Sequence, residues 1–368
     1  MLFNSNIPVY YTRNSKTYSS DFFEINAPEG CLKIIELLTS AGFEAYAVGG
    51  CIRDSLLGIE PFDWDIATSA KPEAMKNVLH EYRSYDTGIK HGTVTFVVDG
   101  ENYEITTFRV ESNYLDGRHP SDVSFVSGIE QDLARRDFTI NAIAWNPYKG
   151  FVDPYFGIAD IENRIIRCVG NPTDRFLEDH LRILRALRFS ATLNFNIHFE
   201  TQLAIKNQYM LLNSISSERI YSEIYKMFST KYTHKLCDIL NDNPYVISEA
   251  FRCYQLAYML NYDQHNRYHD RDLWKHSIDV MSLVSPIPEI RIAALFHDIG
   301  KPDVKTEDLD GYWHYAKHPK ISEKITRESL KILKCSNEVI DHICFLVLNH
   351  DMRPVATKKS ARKFIVKN

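Results

Sequence analysis

Gly49-Gly50-Cys51-Ile52-Arg53-Asp54 is followed within a dozen residues by Asp63-Trp64-Asp65. The first stretch can cradle phosphate, because adjacent glycines permit positive φ and let backbone N–H groups approach a triphosphate closely. The second supplies two carboxylates. If Phe62 to Ile66 is a strand, Asp63 and Asp65 point to one face, roughly 7 Å apart along the chain. That spacing suits two Mg²⁺ ions about 3.5–4 Å apart, the arrangement that stabilises both oxygens of an in-line displacement at phosphorus. A glycine turn followed by a solvated acidic loop is the structural alternative for either motif alone.

The elements that must position these groups are legible around them. Glu44 to Val48 is an apolar run that reads as a strand feeding the glycine turn, and Ile52 to Leu57 reads as a helix start aimed at the same phosphates. Arg53 adds a positive charge there. Before the strand, Pro28 to Ala41 carries a helical apolar rhythm at Cys31, Ile34, Ile35 and Leu38. Further strands are expected at Gly92–Val98, Asn102–Phe108 and Val123–Phe125. Glu104, on the alternating strand Tyr103 to Arg109, either faces the Asp63/Asp65 pair as a third carboxylate or is an exposed edge-strand acid. The segment Arg109 to Pro120 is charged and turn-forming, and reads as a loop that closes over the site.

A second constellation lies in Arg175-Phe176-Leu177-Glu178-Asp179-His180-Leu181-Arg182. On one helix Asp179 and Arg182 stand at i and i+3, an acceptor beside a planar donor. Such a pair accepts from the amino group of cytosine or adenine and donates to the adjacent ring position, leaving uracil and guanine with unpaired groups. An intrahelical ion pair is the alternative. Arg182, Arg185 and Arg188 recur every third residue between Leu181, Leu184 and Leu187, so one helix carries either an RNA-facing basic stripe or a solvated face.

Length and composition bound these readings. A chain of 368 residues exceeds one ordinary core, which predicts two or three domains. There is no run of eighteen apolar residues and no basic-then-apolar N-terminus, so the expected location is the cytoplasm, with no membrane partner. The seven cysteines are scattered and never in C-x-x-C spacing, which argues for reduced core residues rather than a disulfide framework or a thiolate zinc site. The net charge of −5 does not attract nucleic acid globally, but Arg164 to Lys235 holds eleven Lys/Arg against six Asp/Glu. Strand signals mix with helices from 43 to about 155, and almost everything after 170 has helical spacing. Residues 1 to about 25 read as a loosely attached lead, and Asn241-Asp242-Asn243-Pro244 as a joint.

GGCIRD at 49–54, DWDIATSAKPE at 63–73, YEITTFR at 103–109, RVESNYLDGRHP at 109–120 and RRDFTINAIA at 135–144 follow one another in order. Asp153-Pro154 with Phe156-Gly157, RFLEDHLRILRALRF at 175–189 and Ser217-Glu218-Arg219-Ile220 come after them. From about residue 30 to 230 the chain resembles the bacterial-type (class II) CCA-adding tRNA nucleotidyltransferases and their poly(A) polymerase relatives. The resemblance implies an α+β fold: a polymerase-β-like nucleotidyltransferase head with a small mixed sheet, then an all-helical neck and body. It implies Mg²⁺ on Asp63 and Asp65; Glu104 is the further catalytic candidate that the strand alternation suggests beside them. Gly49, Gly50 and Arg53 would lie near the triphosphate, and Arg136, Asp137 and Asn141 fall in the ribose- and phosphate-contacting motif. Glu178, Asp179 and Arg182, with Arg185 and Arg188 beyond them, fall on the nucleotide-recognising helix. The implied reaction adds CCA to the 3′ end of tRNA, gripped by its acceptor arm, from CTP and ATP. Relatives that add only CC lack the element matching 109–120. Poly(A) polymerase, CC-adding and A-adding activities are the alternatives within the family.

The C-terminal part carries an independent set. His276 lies on one helical segment and Ala293 to Phe296 leads into His297-Asp298-Ile299-Gly300-Lys301-Pro302 on another, which resembles the HD phosphohydrolase domain. His318, His350 and Asp351 are further candidate ligands. Imidazole and carboxylate donors without thiolates suit Mn, Fe, Co, Ni or Zn. This domain either holds a metal and hydrolyses phosphate ends, the rival function of another class, or serves as an RNA-binding body. The expected division is 28–165 for the head, 166–240 for the neck and 241–368 for the body with the HD domain. A basic helix-like stretch is expected from Thr357 to Lys367.

Overall fold

The computed structural model describes residues 11–13, 16–18, 25–114, 120–265 and 271–352. Two compact units interleave along the chain, one of residues 1–182 and 195–208, the other of 183–194 and 209–368.

The first unit opens on an antiparallel pair, β1 (Tyr11–Arg13) and β2 (Lys16–Tyr18). Helix α1 (Glu29–Ser40) buries Cys31, Ile34, Ile35 and Leu38, the stripe expected from the sequence. A seven-stranded mixed sheet follows, built from β3 (Ala45–Val48), β4 (Ile66–Thr68), β5 (Arg83–Gly88), β6 (Thr93–Val98), β7 (Glu101–Thr107), β10 (Ala144–Asn146) and β11 (Gly150–Val152). Its order is β11-β10-β3-β4-β7-β6-β5, and β4 with β7 is its parallel pair. The central strands β3, β4 and β10 are buried along their whole length, as residues covered on both faces must be. β6 and β7 alternate instead, with one face covered. α2 (Gly50–Leu56) and α3 (Pro72–Val78) lie between strands.

The 109–120 segment differs from the expected loop. Its flanks form an antiparallel hairpin, β8 (Arg109–Tyr114) with β9 (Pro120–Phe125), while residues 115–119 lie outside the described residues. So do most of the N-terminal lead and the basic stretch at 357–367. The unit is completed by α4 (Ile129–Ala134), α5 (Gly157–Glu162), β12 (Ile165–Ile166), α6 (Pro172–Glu178), β13 (Asn196–Ile197) and α8 (Phe199–Gln208). β12 and β13 pair in parallel.

α7 (Arg182–Leu193) runs into the second unit after its first residue. That unit is a helical body: α9 (Ser217–Phe228), α10 (Thr233–Asp242), α11 (Pro244–Ala250), α12 (Gln255–Tyr258), α13 (Leu273–Leu283), α14 (Pro288–Phe296), α15 (His318–Ile332) and α16 (Asn337–Asn349). One two-residue hairpin, β14 (Thr306–Glu307) with β15 (Trp313–His314), is set into it. The breaker cluster at 241–244 falls where α10 gives way to α11 through Asn243. Arg291 is fully buried in α14 and donates to Phe228 O and Thr230 O, both at 2.7 Å, closing off the end of α9.

Candidate active site and metal cluster

In the head the chain leaves β3 through Gly49, at φ 80° and ψ −125°, backbone that L side chains rarely adopt. A Cβ there would also stand 2.7 Å from Arg136 Nη1. On α2, Arg53 donates through Nη1 to Asn141 Oδ1 (2.7 Å) and through Nε to Asp54 Oδ1 (2.8 Å). Asn141 Nδ2 donates in turn to Asp137 Oδ1 (3.0 Å), which also accepts from Phe138 N (2.8 Å). One chain of hydrogen bonds therefore locks the glycine turn, α2 and the Arg136–Asn141 motif together.

Asp63 and Asp65 lie just before β4 rather than inside it, because regular strand pairing starts at Ile66. The extended path is kept nonetheless: Val48 N donates to Asp65 O at 3.0 Å. Trp64 is buried while both aspartates keep exposed surface, so the carboxylates share the open side, although the Asp65 carboxyl itself is crowded by surrounding protein. Ile66 pairs with Ile105, which sets Glu104 beside Asp65 on the next strand. Glu104 is thus a third carboxylate on that side, and its strand is interior to the sheet rather than an edge. Burial of the carboxyl pushes Asp65 up to about 6; the charges of Asp63 and Glu104 push the same way and Arg136 opposes them. Hard oxygen donors crowded with like charge fit a divalent cation such as Mg²⁺.

Sequence reasoning missed Asp132. It is buried on α4 and ion-paired to Arg135 (2.8 Å) and Arg136 (3.3 Å), and so positions the arginine behind the glycine turn. Burial pushes its carboxyl up, but the two guanidiniums outweigh that and hold it below the usual carboxylate range. The i, i+3, i+4 spacing of Asp132, Arg135 and Arg136 was the available signal.

The recognition segment departs from the single-helix expectation. α6 ends at Glu178, Asp179 takes extended backbone, and α7 restarts at Arg182. Arg182 pairs with Glu178 Oε2 (2.6 Å) and donates to the carbonyls of Arg175 (3.1 Å) and Arg135 (2.8 Å). Asp179 Oδ1 accepts from Leu181 N (3.2 Å). Nor does α7 present an open basic stripe. Arg182 is buried, while Arg185 and Arg188 are half-buried against the Phe189 ring, and Arg188 is ion-paired with Glu223.

In the second unit, Arg291 to Phe296 are all buried, which carries His297 and Asp298 to the interior end of α14. His276 comes from α13, His318 from the start of α15 and His350 from the end of α16. Asp298 lies 3.3 Å from His276 Nε2, 3.0 Å from His297 Nε2, 3.0 Å from His318 Nε2 and 3.4 Å from His350 Nε2. Asp351, an exposed residue, reaches to 3.4 Å from His350. The Nδ1 atoms of His297, His318 and His350 each face a carbonyl three residues back, at 2.8, 2.8 and 2.7 Å. A carbonyl can only accept, so Nδ1 carries the proton and Nε2 faces inward, where it donates to Asp298 when the ring is protonated and offers a lone pair to a metal when it is neutral. Burial raises the Asp298 carboxyl, but bonds from the four imidazoles hold it well below the usual range. Sequence reasoning missed Lys301, whose Nζ lies 2.7 Å from both Asp298 Oδ2 and Gln264 Oε1. Inward nitrogen lone pairs around a carboxylate are a donor set for a transition metal.

Family models match three stretches: the poly(A) polymerase head domain over 45–167, a region described as "Probable RNA and SrmB- binding site of polymerase A" over 194–242, and the HD domain over 273–367. The CCA-adding enzyme of Lactobacillus helveticus is 51% identical over 196 residues, 53% of this chain and 49% of that protein. The chain spans about half the length of the curated relatives it matches. A crystal structure of the Bacillus stearothermophilus CCA-adding enzyme in complex with CTP is 32% identical, with a TM-score of 0.65 over 91% of this chain and 73% of that one. A tRNA nucleotidyltransferase solved with a primer tRNA and an ATP analog, 20% identical, shares the fold at a TM-score of 0.61 over 91% of this chain and 90% of that one. With three family models in order and a 32% identical neighbour along most of its length, the chain belongs to the bacterial-type family of CCA-adding tRNA nucleotidyltransferases and poly(A) polymerases, in the form that carries an HD domain.

Proposed function

We propose that the head adds CCA to tRNA 3′ ends, transferring CMP and then AMP from CTP and ATP without a template. The observation that carries this is the convergence of Asp63, Asp65 and Glu104 on one open side, with Arg136 acting on Asp65 from beside the Gly49-Gly50 turn. Asp63 and Asp65 would hold Mg²⁺, which when bound supplies charge stabilisation to the attacking and leaving oxygens. Arg53 and the glycine backbone bind and orient the triphosphate. Arg136 Nε is buried without a hydrogen-bond partner among the described residues. Asp137 and Asn141 hold Arg53 and lie where the sugar would be gripped.

Asp179 and Arg182 read the base edge, and Glu178 fixes the Arg182 guanidinium that does so. This fits cytosine and adenine, which offer an amino group to the carboxylate. Arg185 and Arg188 position the helix, since Arg188 is committed to Glu223. The proposed division of labour is 28–165 for chemistry, 166–240 for recognition and the tRNA acceptor arm, and 241–368 for the HD function. Among the described residues no helix is long and apolar enough to cross a membrane.

The test is single-turnover extension of a tRNA lacking its last three nucleotides, with each nucleotide alone and with CTP plus ATP. Growth by two with CTP and by three with both supports CCA addition. A long ladder with ATP alone would make the head a poly(A) polymerase, and arrest at two with both nucleotides a CC-adding enzyme.

The imidazole cluster favours a second activity, hydrolysis of phosphomonoester or cyclic phosphate ends. His276, His297, Asp298, His318 and His350 would hold Mn, Fe, Co, Ni or Zn, which when bound supplies an acidified water at neutral pH. Release of phosphate from 3′-phosphorylated or cyclic-phosphate RNA ends, lost on chelation, tests it.

A further inference from the structure

We propose that Arg175 is a positioning residue for base selection: it fixes the Glu178 carboxylate and the turn that carries Arg182, so that the Arg182 guanidinium meets the base already aimed. This rests on the reading that Asp179 and Arg182 read the base edge, and adds what sets their aim. Arg175 lies on α6, one residue before Phe176, whose fully buried ring anchors that helix. From there its guanidinium reaches two elements at once. Nη1 donates to Ala134 O, 2.9 Å away at the end of α4, and Nη2 is ion-paired with Glu178 Oε1.

The other carboxylate oxygen serves Arg182. Glu178 Oε2 accepts from Arg182 Nη1 at 2.6 Å, so one carboxylate stands between two guanidiniums with an oxygen for each. The Arg175 carbonyl accepts from the same Nη1 at 3.1 Å, and Arg135 O, next to Ala134, accepts from Arg182 Nη2 at 2.8 Å. These contacts occupy three of the five guanidinium N–H groups and leave Nε–H and one Nη2 hydrogen for a ligand. The last carbonyls of a helix have no partner within it, so the two arginines complete α4 while α4 holds them. α4 also carries Asp132, which is ion-paired to Arg135 and Arg136. Arg175 thereby registers the base-reading arginine against the helix that places the arginine behind the glycine turn. Without Arg175, Glu178 keeps Arg182 as its guanidinium partner and turns both oxygens to it, the geometry such pairs prefer. That rotation takes Arg182 off the base edge. CTP and ATP depend on that edge and lose contact in the transition state, whereas UTP and GTP, which mismatch it, lose little.

The test measures single-turnover rate and apparent affinity for CTP and for UTP on a tRNA lacking its last three nucleotides, using the full chain with Arg175→Met and with Arg175→Lys. The preference for CTP over UTP is expected to fall about 10- to 100-fold in both, through loss on CTP, the scale of a reacting group displaced by about 1 Å. Lysine keeps the charge but lacks the planar fork that spans Ala134 O and Glu178, so it does not rescue. In a Glu178→Gln background, Arg175→Lys should change the preference by only about twofold or less, because residues that act through one another are not additive. A preference retained in Arg175→Lys overturns the proposal by reducing Arg175 to a local charge. An equal fall for CTP and UTP, or full additivity with Glu178→Gln, overturns it too. A parent protein that extends no tRNA, or extends it equally with UTP, overturns the base-reading assignment instead. Should Arg175→Met lose its circular dichroism, Arg175→Lys decides.

Discussion

The head and the helical body each gather carboxylate chemistry at a point, and they do so with opposite electrostatics. In the head, Asp65 is pushed up to about 6 by burial and by Asp63 and Glu104, with Arg136 as the opposing charge. In the body, Asp298 is more deeply buried, yet four imidazoles hold it well below the usual range and Lys301 lies against it. The head is a site in deficit of positive charge, which under the proposed function a cation arriving with the nucleotide would complete. The body is a site whose carboxylate already has protein partners that hold it in place. The difference predicts that the head responds to ion concentration and pH, and the body to loss of any one helix that feeds it.

The largest expected effect separates the two. Asp63→Ala should lower nucleotide addition by about 10³ or more, ~4 kcal/mol of transition-state stabilisation, with phosphate release unchanged. Loss of both activities together would show one site where the comparison requires two. Asp298→Ala is the mirror experiment. It strips the acceptor from four imidazoles and a buried lysine, and breaking such a buried set costs about 3–5 kcal/mol. Denaturant unfolding of the chelated protein should show that loss, and an unchanged midpoint would mean Asp298 is not the hub.

The two sites were also unequally legible in the sequence. The head positions its carboxylates by local alternation and a neighbouring register, so Asp63, Asp65 and Glu104 could be read from two short strings. What escaped there was what polar or short strands conceal. Arg83 to Gly88 and Ala144 to Val152 carry too little alternation to announce strands, yet they form the edge strands β5 and β11 and the interior strand β10. The break at Asp179 escaped because Leu177 to Leu181 contains no glycine or proline; at the break the Asp179 carboxylate accepts from Leu181 N. In the body, adjacency made His297 and Asp298 visible. His318 and His350, further candidates in the sequence, do reach Asp298, from helices whose contact depends on tertiary packing that no spacing encodes, while Lys301 read merely as part of a motif.

A pH profile sharpens the comparison at intermediate size. For Asp65 the folded pKa of about 6 lies above the unfolded value near 4, so ionising it costs folded stability. That cost is absent below about 4, grows between 4 and 6, and is constant above. Asp65→Asn should therefore raise the melting temperature of the Mg²⁺-free protein at pH 8 and leave it nearly unchanged at pH 4. In the unsubstituted protein at low Mg²⁺, nucleotide addition should fall about tenfold per pH unit below 6, and added Mg²⁺ should move that midpoint downward. A midpoint indifferent to Mg²⁺ would assign the titration to another group.

The smallest effect concerns α7, where charge on paper and charge at the surface part company. Arg188 is counted in the basic stretch of the neck, but its guanidinium is paired with Glu223 and stacked 3.8 Å from the Phe189 ring centroid. A cation spent in this way cannot also release counterions from RNA. Each lost phosphate contact lowers the slope of log affinity against log salt by roughly 0.7–0.9. Arg188→Gln should leave that slope for tRNA unchanged while lowering stability by about 1.5–3 kcal/mol, the usual loss for a hydrogen bond to a charged group. Lys226→Gln, at an exposed position of α9 in the stretch that matches the RNA-binding model, should do the reverse. A shallower slope in Arg188→Gln would return α7 to the RNA-facing surface and make the Glu223 pair a feature of the free protein alone.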